Sequence, residues 1–301
     1  MSGSVSVVIP VYGTAPHLQR CIAALHAQTR LPSEVIVFHS GPGDPTDALR
    51  QVSPDIRIYH LEERHFAGHA RNAGAAQASG DLLIFVDSDI IADAGFVEAI
   101  CTEASAHPDS VLIGSVGLFP AGGLWARVAW FIEFGSVFPN RPAHRPLSAP
   151  SACFGLNRSA FAGSGGFRTD LFAAEDGDLF VRLQAGGHAL RFVPTARGDH
   201  VFAGGAGKTL ARLGELGRAA AFLRHTHNLP GSTAVRHPML AGLLPFARMA
   251  QMARRLLAER GPVGQFLLLS PVIFVGLCAW ALGFYREARQ PTYPSPDATG
   301  G

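Results

Sequence analysis

Apolar residues in the first third of the chain fall into short runs, and segments with helical spacing separate these runs. The runs read VSVVIPV, EVIVFHS, IRIYHL and DLLIFV. Strands that are buried on both faces of a parallel sheet are continuously apolar in this way. The segments between them have the helical period at His17–Gln28, Asp44–Val52 and Gly68–Ala78. The pattern therefore predicts βαβ units and an α/β fold of Rossmann type, with helices flanking the sheet.

The pattern changes twice along the rest of the chain. Residues 111–201 contain short strands, glycine-rich turns and one strong helix at Glu175–Ala185, which suits the second half of the same domain. Beyond them, Gly207–Arg224 and Pro238–Arg260 are amphipathic, with arginines opposite the apolar residues. Helices of this kind either lie in a membrane interface or pack on the catalytic domain, and both interpretations stay open.

The segment Val263–Tyr285 contains no charged residue and is long enough to cross roughly 30 Å of hydrocarbon. We therefore expect a transmembrane helix over residues 262–286, followed by a disordered tail over 287–301. Arginines are denser before this segment than after it, which predicts that the preceding domain faces the cytoplasm. Pro271 and Gly276 inside the segment leave a re-entrant hairpin open.

Composition narrows the classes of protein further. Hydrophobic residues make up 48% of the chain and charged residues only 16%, so part of the apolar surface is expected to face lipid or a partner. The net charge of +2 gives no general attraction to nucleic acid. The four cysteines have no paired spacing, which excludes a zinc ribbon and a secreted disulfide framework.

Two carboxylates one residue apart follow the apolar run that ends at Val86. Ligands of open α/β sheets bind beyond the carboxyl ends of the strands, and Asp87 and Asp89 lie at such an end. Carboxylates with this spacing can bind a divalent cation together with phosphate oxygens that it bridges. A bare Asp-x-Asp is common in loops, so the position at the strand end is what favours a metal site.

Two further segments carry charged residues of interest. Arg71 precedes a helix rich in glycine and alanine, and its planar guanidinium suits a phosphate or a base edge; the alternative is a solvated arginine at a helix start. Glu175, Asp176 and Asp178 crowd the first turn of the helix Glu175–Ala185. The helix dipole alone favours acidic residues there, but crowded carboxylates also raise one another's pKa and suit a general base.

Taken together, these motifs resemble those of the family-2 glycosyltransferases, which are inverting enzymes with the GT-A fold. In chain order the motifs are VSVVIPVYG, EVIVFHSG, ARNAG, GDLLIFVDSD and GGFRTDLFAAEDGDLFVRL, followed by His200 after a strand. The resemblance implies a GT-A-like mixed sheet in a catalytic domain over residues 1–205. The amphipathic helices then occupy residues 206–261.

Position by position, the resemblance implies roles for most of these polar residues. Asp176 matches the catalytic base, and Glu175 beside it shapes the acceptor site. The cation, Mn²⁺ or Mg²⁺, is expected to bind three residues: Asp87, Asp89 and His200. The residues expected to contact the donor are Pro10, Tyr12, Ser40, Arg71 and Asp87.

The chain departs from the family pattern at two donor positions. The family usually has asparagine after the tyrosine of the first motif and an acidic residue after the second strand, where this chain has Gly13 and His39-Ser40. The acidic position helps to hold the base, so the resemblance leaves the nucleotide open. The glycine-rich loop after His200 carries Lys208, which either closes over the donor diphosphate or belongs to a solvated linker.

The resemblance implies transfer of a sugar from a nucleotide-diphosphate donor to a hydroxyl acceptor with inversion, in the synthesis of a cell-envelope polysaccharide or glycolipid. The expected partners are the nucleotide sugar, a lipid-linked or glycan acceptor and the inner membrane, with no nucleic acid. Two other functions stay open: a non-catalytic membrane-associated scaffold and a sugar nucleotidyltransferase. The latter needs a glycine-rich phosphate loop after the first strand, where this chain offers only Gly13.

Overall fold

The computed structural model describes residues 3–293, so residues 294–301 of the expected tail lie outside the described residues. The described chain forms two compact units. The first holds the residues up to Phe119 together with Ala143–Val201, and the second holds Pro120–Pro142 together with the residues from Phe202 onward. The segment Pro120–Pro142 thus packs with the C-terminal helices, although the predicted catalytic domain, 1–205, includes it.

A mixed sheet of eight strands runs through the described part of the first unit, in the order β3-β2-β1-β4-β7-β6-β8-β5. Strands β1 to β4 are parallel where they pair, and β7 is antiparallel to both β4 and β6. The predicted mixed sheet is confirmed. The strands are β1 (Val5–Tyr12), β2 (Glu34–Ser40), β3 (Arg57–Leu61), β4 (Leu82–Val86), β5 (Ile90–Ala92), β6 (Val111–Leu118), β7 (Cys153–Asn157) and β8 (Leu190–His200).

Helices flank this sheet and build the second unit. The first unit contains α1 to α4, α6 and α7, whereas α5 and α8 to α11 belong to the second. The helices are α1 (Leu18–His26), α2 (Thr46–Val52), α3 (Ala67–Ala76), α4 (Phe96–Ala106), α5 (Leu124–Phe134), α6 (Arg158–Gly163), α7 (Glu175–Ala185), α8 (Ala206–His227), α9 (Ser232–Arg236), α10 (Leu244–Ala258) and α11 (Val263–Arg289).

The sheet brings the candidate residues to one edge. The strands β1, β2 and β4 are parallel, so their carboxyl ends, which carry Tyr12, Ser40 and Asp87, lie at the same edge. Strand β8 runs in the same direction, because β7 reverses the direction after β4 and β6 reverses it again before pairing in parallel with β8. The carboxyl end of β8 therefore places His200 at this edge as well.

The second unit is helical, and apolar burial explains why residues 120–142 belong to it. Helix α5 buries most of its apolar side chains, among them Trp130, Phe131 and Phe134. Two of its ring contacts join it to later residues of the second unit: Phe131 packs against Phe266 of α11, and Phe134 against Phe202, which precedes α8. The predicted helix over Pro238–Arg260 is divided into a 3-10 helix, Pro238–Leu243, and α10, because Pro245 suits a helix start.

Helix α11 contains the expected membrane segment and extends it to Arg289. It is the one helix of the described residues that is long and apolar enough to cross a membrane. Its last turn is held by Glu287, whose carboxylate accepts hydrogen bonds from the backbone N–H groups of Thr292 and Tyr293, both at 2.9 Å. One side of α11 is buried inside the second unit, so length and composition do not by themselves make it a span.

Glycines allow α8 and α11 to approach each other at backbone distance. A Cβ atom at Gly217 of α8 would lie 1.9 Å from the carbonyl oxygen of Trp280, and one at Gly283 would lie 1.9 Å from that of Gly214. Both distances are far below any van der Waals contact. Small residues at a helix contact allow this kind of close packing.

We expect Gly217→Ala to destabilise the second unit, although alanine favours helix more than glycine does. The added methyl group forces the two helices apart, and overpacking of this kind costs about 1–3 kcal/mol. Gly207→Ala is the matched control in the same helix, because a Cβ atom there meets nothing within 4 Å. Thermal unfolding followed by circular dichroism should show a lower melting temperature for Gly217→Ala alone; equal melting temperatures would contradict the close contact.

Candidate active site

Asp87 and Asp89 lie on the tight turn between β4 and β5. The backbone N–H of Ile90 donates to the carbonyl of Asp87 at 3.0 Å, and the N–H of Asp87 donates to the carbonyl of Ala152 at 2.9 Å. These bonds fix the backbone of the turn on both sides. The two carboxylates therefore project from a rigid strand end, as the sequence predicts.

His200 is brought to Asp89 by strand pairing. Strand β5 is antiparallel to β8 with Ile90 opposite His200, and the N–H of Val201 donates to the carbonyl of Asp89 at 2.9 Å. The Nε2 atom of His200 lies 3.3 Å from Oδ2 of Asp89. Two residues that are 111 positions apart in the sequence thus meet at one edge of the sheet, as the predicted metal site requires.

Arg71 of α3 connects the two groups of carboxylates. Its side chain is buried, with Nη2 donating to Oδ1 of Asp87 at 2.6 Å and Nη1 donating to Oε1 of Glu175 at 2.7 Å. Its Nε atom is buried and has no hydrogen-bond partner among the described residues. One positive charge therefore serves two carboxylates, one at the end of β4 and one at the start of α7.

The residue after Arg71 positions the loop that leads to α7. The side-chain amide of Asn72 donates to the carbonyl of Phe167 at 2.8 Å and accepts from the N–H of the same residue at 2.8 Å. The ARNAG motif thus ties α3 both to Glu175 and to the loop before it. The sequence predicts a nucleotide contact for Arg71 but gives no sign of these bonds, because the partners lie 95 and 104 positions away.

Burial and charge set the protonation of this cluster. Burial, and then the charge of Asp176, raise the pKa of Glu175 to about 7, although Arg71 opposes both effects. Burial also raises the pKa of Asp87; Arg71 counteracts this, while Asp89 adds to it. The pKa of Arg71 is raised because Asp87 and Glu175 together outweigh its own burial. The guanidinium is therefore permanently charged, whereas Glu175 can gain a proton near neutral pH.

We expect the stability of the protein to fall as pH rises from about 4.5 to 7, because Glu175 binds its proton more tightly in the folded state than in the unfolded one. The penalty is the free energy of keeping Glu175 ionised in its buried position. Below the pKa of Glu175 in the unfolded state, both states are protonated and the penalty vanishes. Above its pKa in the folded state, the penalty is fully present. It reaches up to about 3 kcal/mol for a shift of this size. Glu175→Gln removes the penalty and should gain stability relative to wild type at pH 8 but not at pH 4.

Urea unfolding at several pH values tests this expectation. The exposed Glu62, changed to glutamine, is the control because it lies outside the cluster in the same unit. If the stability difference between wild type and Glu175→Gln is the same at all pH values, Glu175 does not bind its proton as described.

Asp176 lies at the start of α7, next to Glu175 but with a different environment. Its Oδ2 atom accepts from the backbone N–H of Ser151 at 3.2 Å, and its Oδ1 atom accepts from the N–H of Gly177 at 2.6 Å. It is half-buried. The preceding residue, Ala174, has a left-handed backbone with φ of 69°, which is uncommon for a residue other than glycine. Such a conformation turns the chain sharply before the two acidic residues.

The expected donor residues of β1 and β2 form a separate group at the same sheet edge. The ring of Tyr12 packs against Gly41, where a Cβ atom would lie 2.9 Å from it, and the guanidinium of Arg64 lies 4.8 Å from the ring centroid. Ser40 is buried, and its hydroxyl donates to the carbonyl of His65 at 3.3 Å. Pro10 is buried within β1. Of this group, Tyr12 has the most exposed side chain, so its ring is available to a ligand.

His39 is a polar residue of this region that the sequence singles out only as a departure from the family. It is fully buried, with Nε2 3.0 Å from the carbonyl of Gly13 and Nδ1 2.8 Å from Nδ1 of His60. A carbonyl only accepts, so Nε2 carries the proton and Nδ1 accepts from His60 when His39 is neutral. The pair thus ties the ends of β1, β2 and β3 together.

Lys208, the remaining predicted donor residue, belongs to the second unit. It is exposed in the first turn of α8, and its side chain lies against Gly204. Its role toward the donor stays a prediction. Two other contacts of the site have no sequence signal of their own: the Ser151 N–H that binds Asp176, and Arg64 over Tyr12. Both come from loops, where spacing carries little information.

The residues present fit a divalent cation that is shared with a ligand. Asp89 Oδ2 and His200 Nε2 are 3.3 Å apart, close to the separation of about 3 Å between adjacent ligands of an octahedral ion with bonds near 2.1 Å. Within residues 3–293 no group of three or more His, Cys, Asp or Glu side chains is arranged to hold a metal. Small hard cations commonly use one or two carboxylates plus substrate phosphates, which agrees with so few protein ligands.

The sequence profile described as Glycosyl transferase family 2 matches residues 6–163, slightly more than half of the chain. The chain belongs to glycosyl transferase family 2. The matched range contains the sheet from β1 to β7 with Arg71, Asp87 and Asp89. It ends before Asp176 and His200, whose roles in this family-2 glycosyltransferase therefore rest on the resemblance and on the geometry above.

Two curated relatives of this family-2 glycosyltransferase come from Mycobacterium tuberculosis. The pre-mycofactocin glycosyltransferase is 28% identical over 280 residues, which are 90% of this chain and 56% of the relative. The N-acetylglucosaminyl-diphospho-decaprenol L-rhamnosyltransferase is 27% identical over 236 residues, which are 66% of this chain and 76% of the relative. The chain spans about half the length of several curated relatives that it matches.

Among solved structures, the family-2 glycosyltransferase is similar to GalNAc-T7, crystallised with UDP, GalNAc and Mn²⁺. The TM-score is 0.56 at 15% identity, over 76% of this chain and 52% of that one. At this identity the likeness concerns the fold alone. The GT-A-like fold expected from the sequence is confirmed.

Proposed function

We propose that this family-2 glycosyltransferase moves a sugar from a nucleotide-diphosphate donor to a hydroxyl acceptor with inversion of the anomeric carbon. The observation that carries the proposal is the convergence of two functions at one sheet edge. Asp87, Asp89 and His200 provide ligands for a cation and its diphosphate, and Arg71 connects them to the acidic start of α7. A single displacement needs a cation site for the leaving diphosphate and a carboxylate for the attacking hydroxyl at the same time.

Asp176 acts as the general base. Deprotonation of the attacking hydroxyl needs a carboxylate within hydrogen-bond reach of the acceptor. Asp176 is half-buried and is oriented by the N–H groups of Ser151 and Gly177. Glu175 is buried and occupied by Arg71, so it shapes the acceptor site rather than taking the proton.

Asp89 and His200 hold the cation, with Asp87 beside them. When bound, a divalent cation neutralises the negative charge of the departing diphosphate. Mn²⁺ and Mg²⁺ both accept this ligand set, and GalNAc-T7, which shares the fold, was crystallised with Mn²⁺. Arg71 binds one oxygen of Asp87, which would leave its other oxygen for the cation or the donor ribose.

Tyr12, Pro10 and Ser40 line the nucleotide, with Tyr12 offering an exposed ring for the base. Arg71 contributes indirectly, because its donors are engaged by Asp87 and Glu175. Lys208 on α8 is the remaining positive charge that we assign to the diphosphate. The buried His39 and Ser40 occupy the position where the family usually has an acidic residue that helps to hold the nucleobase. This chain therefore contacts the nucleobase of the donor without that carboxylate.

The acceptor is a lipid-linked or glycan hydroxyl used in the synthesis of the cell envelope. Two relatives support this class, the decaprenol-linked rhamnosyltransferase named above and an O-antigen biosynthesis protein of Myxococcus xanthus. Such an acceptor places the protein at the inner membrane, and sugar nucleotides place the catalytic unit on its cytoplasmic side. The apolar helix α11 and the arginines before it support this location.

Binding of nucleotide diphosphates to the full chain tests the proposal. UDP, GDP and dTDP, each with and without Mn²⁺, should include one that raises the melting temperature only when the metal is present, because a ligand of the folded state stabilises it. The matching sugar nucleotide should then be hydrolysed slowly in the absence of acceptor. Binding without hydrolysis would point to a non-catalytic scaffold, and no binding at all would overturn the proposal.

A further inference from the structure

The exposed side of α11 is apolar along most of its length. Eight of its ten exposed positions recur every three or four residues, which places them on one stripe of the helix. Two arginines, Arg286 and Arg289, continue the same stripe at its C-terminal end. The exposed residues of α11 before them are all uncharged, and most are apolar: Gly264, Gln265, Leu267, Leu268, Pro271, Val275, Cys278 and Leu282, of which Gln265 and Leu267 lie beside the stripe.

The 3-10 helix and α10 extend this apolar surface. Both elements pack against α11, and the rings of Phe246 and Phe274 are in contact, with centroids 5.0 Å apart. Five large apolar side chains remain exposed on these two elements, beside the polar Gln251 and Arg254 of α10: Met239, Leu240, Leu243, Phe246 and Leu257. A helix on the surface of a water-soluble protein presents polar residues at such positions. We call the combined surface of these three elements the apolar face.

The charge around the apolar face is positive. Residues 232–293 contain seven arginines and only two acidic residues, Glu259 and Glu287, so this segment has a net charge of +5 while the whole chain has +2. Glu259 is paired with Arg141, and Glu287 lies near Arg218. The arginines that remain exposed are Arg236, Arg254, Arg260, Arg286 and Arg289. Apolar residues bordered by arginines suit a bilayer with anionic headgroups.

The other side of α11 is not available to lipid. Ile273, Gly276, Leu277, Trp280 and Phe284 are buried against α5, α8 and α10. The contacts with α8 all fall between Gly276 and Glu287: Leu213 lies at Gly276, Gly217 at Trp280, Gly214 at Gly283 and Arg218 at Glu287. Helix α8 therefore lies beside the second half of α11.

Helix α8 brings charged groups with it. Arg218 lies 3.2 Å from Glu215 and 3.5 Å from Glu287, and donates to the hydroxyl of Thr292 at 3.0 Å. Near the middle of α11, where Leu213 lies at Gly276, the adjacent Arg212 is paired with Glu133 at 2.8 Å. If α11 crossed the bilayer, this charged pair would enter the hydrocarbon with it, at a high cost in free energy. A helix that exposes one apolar stripe and packs its other side on helices with charged groups instead fits a position in the plane of the membrane surface.

We propose that the second unit is monotopic: α10, the 3-10 helix and α11 insert the apolar face into one leaflet of an anionic membrane, and α11 does not cross it. The proposal rests on the membrane location given under Proposed function and replaces the spanning helix expected from the sequence. The chain then enters and leaves the membrane on the same side. The exposed arginines contact the headgroups, and both ends of α11 stay in the cytoplasm.

Vesicle flotation tests the surface. The full chain should float with vesicles of phosphatidylglycerol and phosphatidylcholine, and less with phosphatidylcholine alone. Leu268→Glu combined with Val275→Glu should weaken binding by about tenfold or more, since two charges enter the apolar face. Leu147→Glu is the matched control, because Leu147 is 81% exposed in the first unit and Leu268 is 80% exposed. Equal binding of all three proteins, or no binding by wild type, overturns the proposal.

The side on which α11 ends separates insertion into one leaflet from a span. Cys278 is the exposed cysteine, while Cys21, Cys101 and Cys153 are buried. In a Cys278→Ser background, Gln290→Cys places a single accessible thiol just after α11. A membrane-impermeant maleimide should label it only after spheroplasts are lysed; labelling of intact spheroplasts would show a span and overturn the proposal.

Donor hydrolysis distinguishes this proposal from the proposed function. The variants of the apolar face change no residue of the catalytic edge, so their hydrolysis of the sugar nucleotide in detergent should equal that of wild type. Loss of vesicle binding with retained hydrolysis supports both proposals. If wild type binds vesicles but does not hydrolyse the donor, the proposed membrane-binding surface is supported and the proposed enzymatic function is contradicted.

Discussion

Asp176→Asn is expected to lower the turnover of sugar transfer by about 10²- to 10⁴-fold, while the donor and the metal still bind. The asparagine keeps the shape of the side chain and one oxygen, which can still accept from one of the two N–H groups that bind Asp176, those of Ser151 and Gly177. It cannot take the proton of the acceptor hydroxyl. The loss should therefore appear in kcat and leave the KM for the donor nearly unchanged.

Asp170→Asn provides the control for this variant. Asp170 lies shortly before α7 and is paired with Arg168 on the surface, so its loss should leave both constants unchanged. Steady-state kinetics with the donor, together with calorimetric binding of the nucleotide diphosphate and Mn²⁺, separate the two constants. A comparable loss of donor affinity in Asp176→Asn would make this residue part of the donor site.

Asp89→Asn is expected to abolish transfer and metal binding together, with little change in the folded structure. The side chain is partly exposed at a strand end, and asparagine has nearly the same volume, so packing is retained. The negative charge that faces the cation and the ring of His200 is lost. Divalent cations depend on charged oxygen ligands, so the dissociation constant for Mn²⁺ should rise by about tenfold or more.

Mn²⁺ binding is measurable without any turnover, by the electron paramagnetic resonance signal of the free ion. Asp93→Asn is the matched control, since Asp93 is a more exposed aspartate on the same turn region and is paired with Arg197. The melting temperature should be the same for both variants. Full activity of Asp89→Asn in buffer with excess metal would remove Asp89 from the site.

The parallel half of the sheet is predictable from the sequence because each strand carries its own signal. Strands β1, β2 and β4 are mostly apolar, and each ends in or is followed by a polar residue of the candidate site: Tyr12, Ser40 and Asp87. The antiparallel position of β7 between β4 and β6 cannot be predicted in this way. Its five residues are ordinary in composition, and its partner in β4 lies about 70 positions earlier, so the pairing depends on long-range packing that no local pattern encodes.

The candidate site also has a part that the sequence predicts and a part that it does not. Asp87, Asp89 and the acidic start of α7 can be found from spacing and from the ends of elements. The contacts that decide their chemistry cannot, because they join distant residues or use the backbone. Examples are the N–H of Ser151 on Asp176 and the buried bond between His39 and His60. The membership of residues 120–142 in the second unit also follows from tertiary burial rather than from sequence pattern.

The position of Arg71 has a consequence for the order of events in a catalytic cycle. Its guanidinium binds both Asp87, which we propose for the donor side, and Glu175, which we propose for the acceptor side. A ligand that neutralises Asp87 removes a negative charge near Glu175, so the guanidinium is less compensated there and Glu175 releases its proton more easily. Occupancy of the donor side and the charge of the acceptor side are thus linked thermodynamically. Because such linkage is reciprocal, an acceptor that prefers one protonation state of Glu175 changes the affinity for the donor by the same factor.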